Sequence, residues 1–283
     1  FDVRPQLLYP AEESAGLLDS QKVAVRFEHV GFKYPGAGAE SLSDISFSVR
    51  HGDAVGIIGG TGSGKTSLVS LIPRFFDASS GDVYLFGEPI KEIPRQKLRS
   101  LAGIVPQKPL LFSGTVRSNL LWGVSGICPP EEVDDELLWK ALECAQAAGF
   151  VRDLPGGLDG VVEQGGRNFS GGQRQRLTIA RAMVRTLLAL RAGQPFILIL
   201  DDSASALDFV TESALRRELA KLRGKVTTFI VSQRVASVRS SDLILVLDDG
   251  RLVGAGKHDE LLSTCPVYRE IYESQYSGGE AGA

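Results

Sequence analysis

An α/β fold built on a mostly parallel sheet is predicted by three features of this 283-residue sequence. A short apolar run at residues 54–58 is closed by Gly59 and followed, from Lys65, by apolar residues at helical spacing. The middle of the chain is rich in helical patterns. The final third alternates apolar runs of strand length (196–200, 226–231, 243–247) with a helical pattern over 209–222, the order that puts parallel strands under crossover helices.

Before this core, Val23, Val25 and Phe27 recur at period two, as do Ile45, Phe47 and Val49, with Pro35-Gly36-Ala37-Gly38 between them; a small antiparallel sheet is expected. Leu68, Leu71, Ile72 and Phe75 continue the first helix on one face. A second helical region covers 134–148, opened by acidic residues that complement a helix N-terminus. A third covers 172–191 and is stopped by Gly193 and Pro195. These helices form an insertion, at about residues 112–190, between two parts of the α/β core. Residues 1–21 show no sustained period and carry Pro5, Pro10, Glu12 and Glu13, so a linker arriving from an upstream part of a longer protein is expected there; the domain is placed at 22–275, and 276–283 as a flexible tail.

Composition narrows the function. With 31 basic against 34 acidic residues and a net charge of -3, there is no electrostatic case for a nucleic-acid partner. Cys128, Cys144 and Cys265 lie far apart without metal-ligand spacing, so no disulfide framework and no metal cluster is expected, and a reducing, cytosolic setting fits. No apolar run approaches the roughly 20 residues that span a bilayer.

The chemistry is carried by Gly59-Gly60-Thr61-Gly62-Ser63-Gly64-Lys65-Thr66, which fits G-x-x-x-x-G-K-[ST] and lies between a predicted strand and a predicted helix. Glycines let backbone amides turn inward around phosphates, and the helix that follows, starting Lys65-Thr66-Ser67, aims its positive end at them. In that reading Lys65 reaches the β- and γ-phosphates and the Thr66 hydroxyl ligates Mg²⁺. A dinucleotide fingerprint is disfavoured, because the register that starts at Gly62 reaches Ser67 where a third glycine is needed. At the end of the apolar run 196–200, Asp201 supplies the carboxylate that holds the metal.

Many ATPases share these two motifs, but Asn168-Phe169-Ser170-Gly171-Gly172-Gln173 followed by Arg174-Gln175-Arg176-Leu177 resembles the signature sequence of ATP-binding cassette (ABC) proteins. Gln107 in Val105-Pro106-Gln107 is similar to the Q-loop, Ser205-Ala206-Leu207-Asp208 to the D-loop, and Tyr34 to the aromatic residue that stacks on adenine. The resemblance covers residues 23–272 and implies a P-loop NTPase (RecA-like) core, an antiparallel β-subdomain and an inserted helical subdomain, the ABC ATPase fold, with ATP and Mg²⁺ as cofactors. It also implies that two such domains close head to tail. Each ATP then lies between one P-loop and the other domain's signature, where Ser170, Gly171, Gly172 and Gln173 face a γ-phosphate and Asp208 lines the interface. Gln107 would approach the metal and the attacking water. Residues 163–167 are similar to the exporter segment that meets the coupling helices of transmembrane domains, and 112–116 are also exporter-like, which implies a place at the cytoplasmic face of a membrane.

Two positions depart from the family. Where an active cassette has a catalytic glutamate, this chain has Asp202, one methylene shorter. That draws the carboxylate back by about an ångström, a displacement that costs on the order of a hundredfold in rate. Where the family has its switch histidine, the chain has Gln233, which donates a hydrogen bond but carries no charge. The pair resembles the degenerate site of heterodimeric ABC exporters, whose other site hydrolyses ATP normally. Two alternatives stay open: a homodimeric exporter domain with slow but real hydrolysis, and a soluble ABC ATPase outside transport.

Overall fold

Period-two patterning near the start of the chain becomes antiparallel pairing in the computed structural model, which describes residues 7–11 and 23–276. Strands β1 (Val23–Phe32) and β2 (Leu42–Arg50) place Phe27 opposite Phe47, with ring centroids 4.7 Å apart. Such cross-strand aromatic pairs are what hold a half-buried sheet together. β4 (Ser80–Leu85) takes the other edge of β1 and β5 (Glu88–Pro89) follows it, giving the order β2-β1-β4-β5.

The second sheet has six strands: β3 (Ala54–Gly59), β6 (Ala102–Val105), β9 (Ile197–Asp201), β10 (Thr227–Val231), β11 (Leu243–Asp248) and β12 (Arg251–Gly256), in the order β12-β11-β3-β10-β9-β6. All neighbours are parallel except β12, which runs antiparallel to β11 at one edge. Every residue of β3 and β9 is buried, which is why both read as unbroken apolar runs rather than alternating ones. Around this sheet lie α1 (Lys65–Leu71), α2 (Arg95–Leu101), α7 (Phe209–Ala220), α8 (Val235–Val238), α9 (His258–Thr264) and α10 (Pro266–Tyr276).

Between β6 and β9 the chain makes α3 (Val116–Leu120), α4 (Asp135–Cys144), α5 (Ala148–Arg152) and the 21-residue α6 (Gly171–Arg191), with the two-residue strands β7 (Gly114–Thr115) and β8 (Val161–Val162) pairing among them. Leu138 and Leu142 of α4 share a fully buried core with Ala180 and Val184 of α6, and that core continues to Phe196 and Leu198 beside the sheet. The helices are thereby packed onto the sheet rather than tethered to it.

The structure corrects several boundaries. The helix expected over 134–148 is two helices: Gln146 adopts φ 58°, its amide reaches Glu143 O (3.0 Å), and Ala147 N–H reaches Leu142 O (2.7 Å). This is a Schellman stop made without glycine, so no sequence signal marked it. The first helix ends before Phe75 in the same way, with Arg74 at φ 53° and Phe75 N–H on Ser70 O (3.0 Å), which leaves Phe75 half exposed. At the chain's end α10 runs through Tyr276, where the tail was placed; 277–283 lie outside the described residues. Of the expected linker, 7–11 have no regular secondary structure but are not loose: the Tyr9 hydroxyl donates to Arg74 O (3.3 Å), and Arg74 donates to Leu8 O (2.8 Å) with its guanidinium 4.4 Å from the Tyr9 ring centre. The rest of that linker, 1–6 and 12–21, lies outside the described residues.

Candidate functional site

Because β3, β10, β9 and β6 are parallel neighbours, their carboxyl ends open along one edge of the sheet. Ligands of open α/β sheets bind at this edge. At or just beyond these strand ends the chain places the glycine loop, the turn carrying Gln233, Asp201 with Asp202, and Gln107 respectively.

Gly59 to Thr66 wrap from β3 into α1. A Cβ at Gly59 would stand 2.1 Å from Leu247 O, so only glycine lets β3 leave the sheet beside β11. Gly64 caps α1 at φ 96°, a conformation that glycine adopts without strain. Gly60, Thr61, Gly62 and Thr66 are exposed, whereas Lys65 and Ser63 are buried and Gly64 is half-buried. The Lys65 ammonium donates to Gly59 O (2.9 Å), Gly60 O (2.5 Å) and Ser63 Oγ (3.3 Å). All three partners are neutral oxygens. Burial pushes the Lys65 ammonium below its ordinary pKa, against the opposing charges of Asp202 and Asp201. A buried cation whose hydrogen bonds, among the described residues, all go to neutral oxygens suits an anion such as a phosphate.

Asp201 ends β9 with its side chain buried and accepts a hydrogen bond from Thr66 Oγ1 (3.1 Å). This joins residues 135 positions apart. Half-buried Asp202 follows at φ 46°, a region in which aspartate is more at ease than most residues. Its N–H donates to Val231 O (3.0 Å), its own carbonyl accepts from Ser205 Oγ (2.8 Å), and its carboxylate accepts from Gln107 Nε2 (3.2 Å). Burial raises the pKa of both carboxyls, opposed by the Thr66 bond at Asp201 and the Gln107 bond at Asp202. Two carboxylates crowded beside a hydroxyl and a primary amide, with no ion pair to either among the described residues, form an oxygen-rich set that fits Mg²⁺.

The structure brings Tyr34 to the same place. Its hydroxyl lies 3.1 Å from Ser67 Oγ, and its ring packs edge-on against Phe32 and Phe76, with centroids 4.6 and 5.2 Å away. Gln233 is exposed in the turn after β10, and Ser232 N–H anchors that turn to Ile57 O (3.0 Å).

Ser170, Gly171, Gly172 and Gln173 start α6 instead. The Ser170 hydroxyl accepts from Gln173 N–H (3.2 Å) and the Gln173 side chain accepts from Ser170 N–H (2.8 Å), a capping box that leaves Ser170 and Gly171 exposed. A Cβ at Gly172 would lie 3.5 Å from Ala206 O, so this helix start sits beside Ser205 to Asp208 of the same chain. Asp208 caps α7 by accepting from Thr211 N–H (2.9 Å) and Thr211 Oγ1 (2.7 Å), which holds its carboxyl below the usual range. The next two residues, Phe209 and Val210, are 74% and 75% exposed.

Sequence reasoning missed Glu212, which is buried and accepts from Ser237 Oγ (2.7 Å) and from Arg234 Nη1 (3.2 Å) beside Gln233. A signal was present, since Glu212 shares the buried stripe of α7 with Leu215 and Leu219, and an acid on such a stripe needs partners.

Fold and site together define an ATP-binding domain of the ABC ATPase fold. A sequence profile of the ABC transporter family matches residues 42–205, more than half of the chain, and the chain belongs to that family. It is 40% identical over 264 residues to the ABC transporter ATP-binding protein YfiB of Bacillus subtilis (93% of this chain, 43% of YfiB). It is 36% identical over 282 residues to an ATP-dependent lipid A-core flippase of Hahella chejuensis (99% of this chain, 46% of the flippase). A solved bacterial Atm1-family ABC exporter with ATP bound superposes with a TM-score of 0.85 at 32% identity, covering 97% of this chain and 45% of the exporter. The chain thus spans less than half the length of these relatives. Among the described residues no helix is long and apolar enough to cross a membrane.

Proposed function

We propose that this chain is the nucleotide-binding domain of an ABC exporter, that it binds Mg-ATP at the carboxyl edge of its parallel sheet, and that its own site is degenerate and hydrolyses slowly. The observation that carries the reading is the buried Lys65 ammonium held on the glycine loop, under the charge of Asp201, which the next residue, Thr66, meets through its hydroxyl. Backbone amides from Gly59 to Thr66 cradle the phosphates, and Lys65 exchanges its carbonyl partners for phosphate oxygens. Tyr34 offers its ring to the adenine. Thr66, Asp201 and Gln107 would hold the magnesium, which when bound neutralises charge between the β- and γ-phosphates. Asp202 accepts the proton of the attacking water and Gln107 holds its carboxylate in place. Gln233 donates its amide to the γ-phosphate.

The partner is a second ABC domain, and the exposed Ser170-Gly171 cap beside the solvent-facing Phe209-Val210 pair supports a surface made to be covered. Ser170, Gly171, Gly172, Gln173 and Asp208 then complete the partner's site. Residues 163–167 would meet the coupling helices of transmembrane domains at the cytoplasmic face of a membrane, and the greater length of the relatives, of which this chain covers 46% and 45%, supports such further domains. Asp202 and Gln233 favour a heterodimer in which a competent cassette performs most turnover. Asp202 keeps a carboxylate held by Gln107 Nε2 (3.2 Å) at the base position, which favours the second reading, a homodimer with slow but real hydrolysis.

Steady-state ATP hydrolysis separates the two. The unaltered chain alone is expected to be slow, the Asp202→Glu/Gln233→His double variant at least about tenfold faster, and a mixture with a competent cassette active. Equal rates for the unaltered chain and the double variant would overturn the degenerate site.

A further inference from the structure

The turn that carries Gln233 is held from two sides by elements far away in sequence. On one side Glu212 of α7 takes the Arg234 guanidinium and the Ser237 hydroxyl. On the other, the side chain of Gln275, in the last turn of α10, forms two hydrogen bonds to the backbone of the turn. Gln275 Nε2 donates to Gln233 O (2.7 Å), and Val235 N–H donates to Gln275 Oε1 (2.9 Å). The residue between them, Arg234, is extended at φ -94°, ψ 122°. In an extended chain the carbonyl of one residue and the N–H two positions on face the same side, so one primary amide satisfies both, as a neighbouring strand would. The Val235 N–H opens α8 and has no carbonyl four residues back to meet, and Gln275 supplies that acceptor.

α10 itself is firmly seated. Tyr268 is fully buried against the sheet core and its hydroxyl lies 2.7 Å from His258 Nδ1. The helix therefore gives Gln275 a fixed origin from which to hold the turn.

We propose that Gln275 is a positioning residue for hydrolysis: it fixes the backbone of Gln233 so that the Gln233 side chain points at the γ-phosphate. This rests on the reading of Gln233 as the group that meets that phosphate. Gln275 bonds the backbone of Gln233 and Val235 and none of the residues assigned to the phosphate loop or the metal, so it acts on the rate of the chemical step and leaves affinity alone.

The test compares the unaltered 283-residue chain with Gln275→Ala, Gln233→Ala and the double variant. It measures single-turnover phosphate release at several Mg-ATP concentrations, amide exchange at Val235, and the thermal midpoint. In Gln275→Ala the Val235 amide is expected to exchange about tenfold faster, as loss of one such bond allows. The maximal rate falls about three- to tenfold while half-saturation moves by less than about twofold. The midpoint stays within about 2 °C. In the Gln233→Ala background the same change adds less than about twofold, because the side chain it positions is gone. A normal rate in Gln275→Ala, with Gln233→Ala slow, overturns the positioning role and leaves the reading of Gln233 standing. A normal rate in Gln233→Ala overturns both. A large fall in midpoint with rate and half-saturation changing together makes Gln275 a structural residue and overturns the proposal.

Discussion

Replacing Lys65 with methionine keeps the stem of the side chain and removes its charge, so it isolates what the ammonium contributes to nucleotide binding. At about 3 Å from a phosphate oxygen and an effective dielectric of about 20, a unit charge pair is worth about 5.5 kcal/mol. That attraction is not all available. In the nucleotide-free protein the ammonium already donates to the carbonyls of Gly59 and Gly60, and giving these up costs about 1.5 kcal/mol each. The difference, about 2.5 kcal/mol, predicts that Lys65→Met weakens Mg-ATP binding about 70-fold. The nucleotide-free fold should change little, because the variant also removes a buried cation whose ammonium is destabilised by its surroundings. Isothermal titration calorimetry with Mg-ATP measures the affinity and a thermal melt the fold. A dissociation constant within about threefold of the unaltered chain, with the melt unchanged, would refute the placement of the phosphates at this loop.

Burial raises Asp201 above its unfolded pKa, so the folded chain holds the extra proton as pH climbs from the ordinary carboxylate range to the raised value; stability falls through that window and stays lower above it. Asp201→Asn keeps an acceptor for Thr66, and is expected to raise the nucleotide-free melting point at pH 7 by about 1–4 °C, to lose that gain in a melt near pH 4, and to abolish magnesium-dependent nucleotide binding in calorimetry. Arg74→Ala removes a guanidinium that pairs with Asp77 (2.7 Å) and holds Leu8 O, so a loss of about 2 kcal/mol in urea unfolding is expected. Faster amide exchange at residues 7–11 should accompany it, and unchanged exchange would show that Tyr9 is held by other means.

What was legible in the sequence was whatever has a short-range cause. The glycine loop is one continuous segment whose conformation needs glycine at Gly59 and Gly64, and β9 is buried on both faces, so both announce themselves locally. β6 and β12 did not. β6 has only four residues at a sheet edge, and β12 is half-exposed along its length, so neither shows a periodic apolar run. The break between α4 and α5 was invisible because Gln146 takes the position that glycine usually marks. At the site, the residue types of Asp201, Asp202 and Gln233 were readable, but the contacts that hold them were not. Thr66 to Asp201, Gln107 to Asp202 and Gln275 to Gln233 span 135, 95 and 42 positions; the first two arise only when parallel strands bring their ends together, and the third only when α10 docks.

That same geometry separates binding from turnover. The phosphate cradle is built by one strand, one loop and one helix, so its accuracy depends on contiguous backbone and on the buried Lys65. The groups assigned to water activation and to the γ-phosphate come from the ends of β6, β9 and β10 and are held by side-chain bonds near 3 Å, several of them half-exposed. A change such as a shortened carboxylate at 202 or a neutral amide at 233 displaces or discharges one of these groups without moving the loop from 59 to 66. Hydrolysis is sensitive to displacements of about an ångström, whereas affinity is spread over many amides and one ammonium. On the proposed reading, a site of this construction loses rate by orders of magnitude and keeps its grip on ATP, which is the property that the proposed degenerate half-site requires.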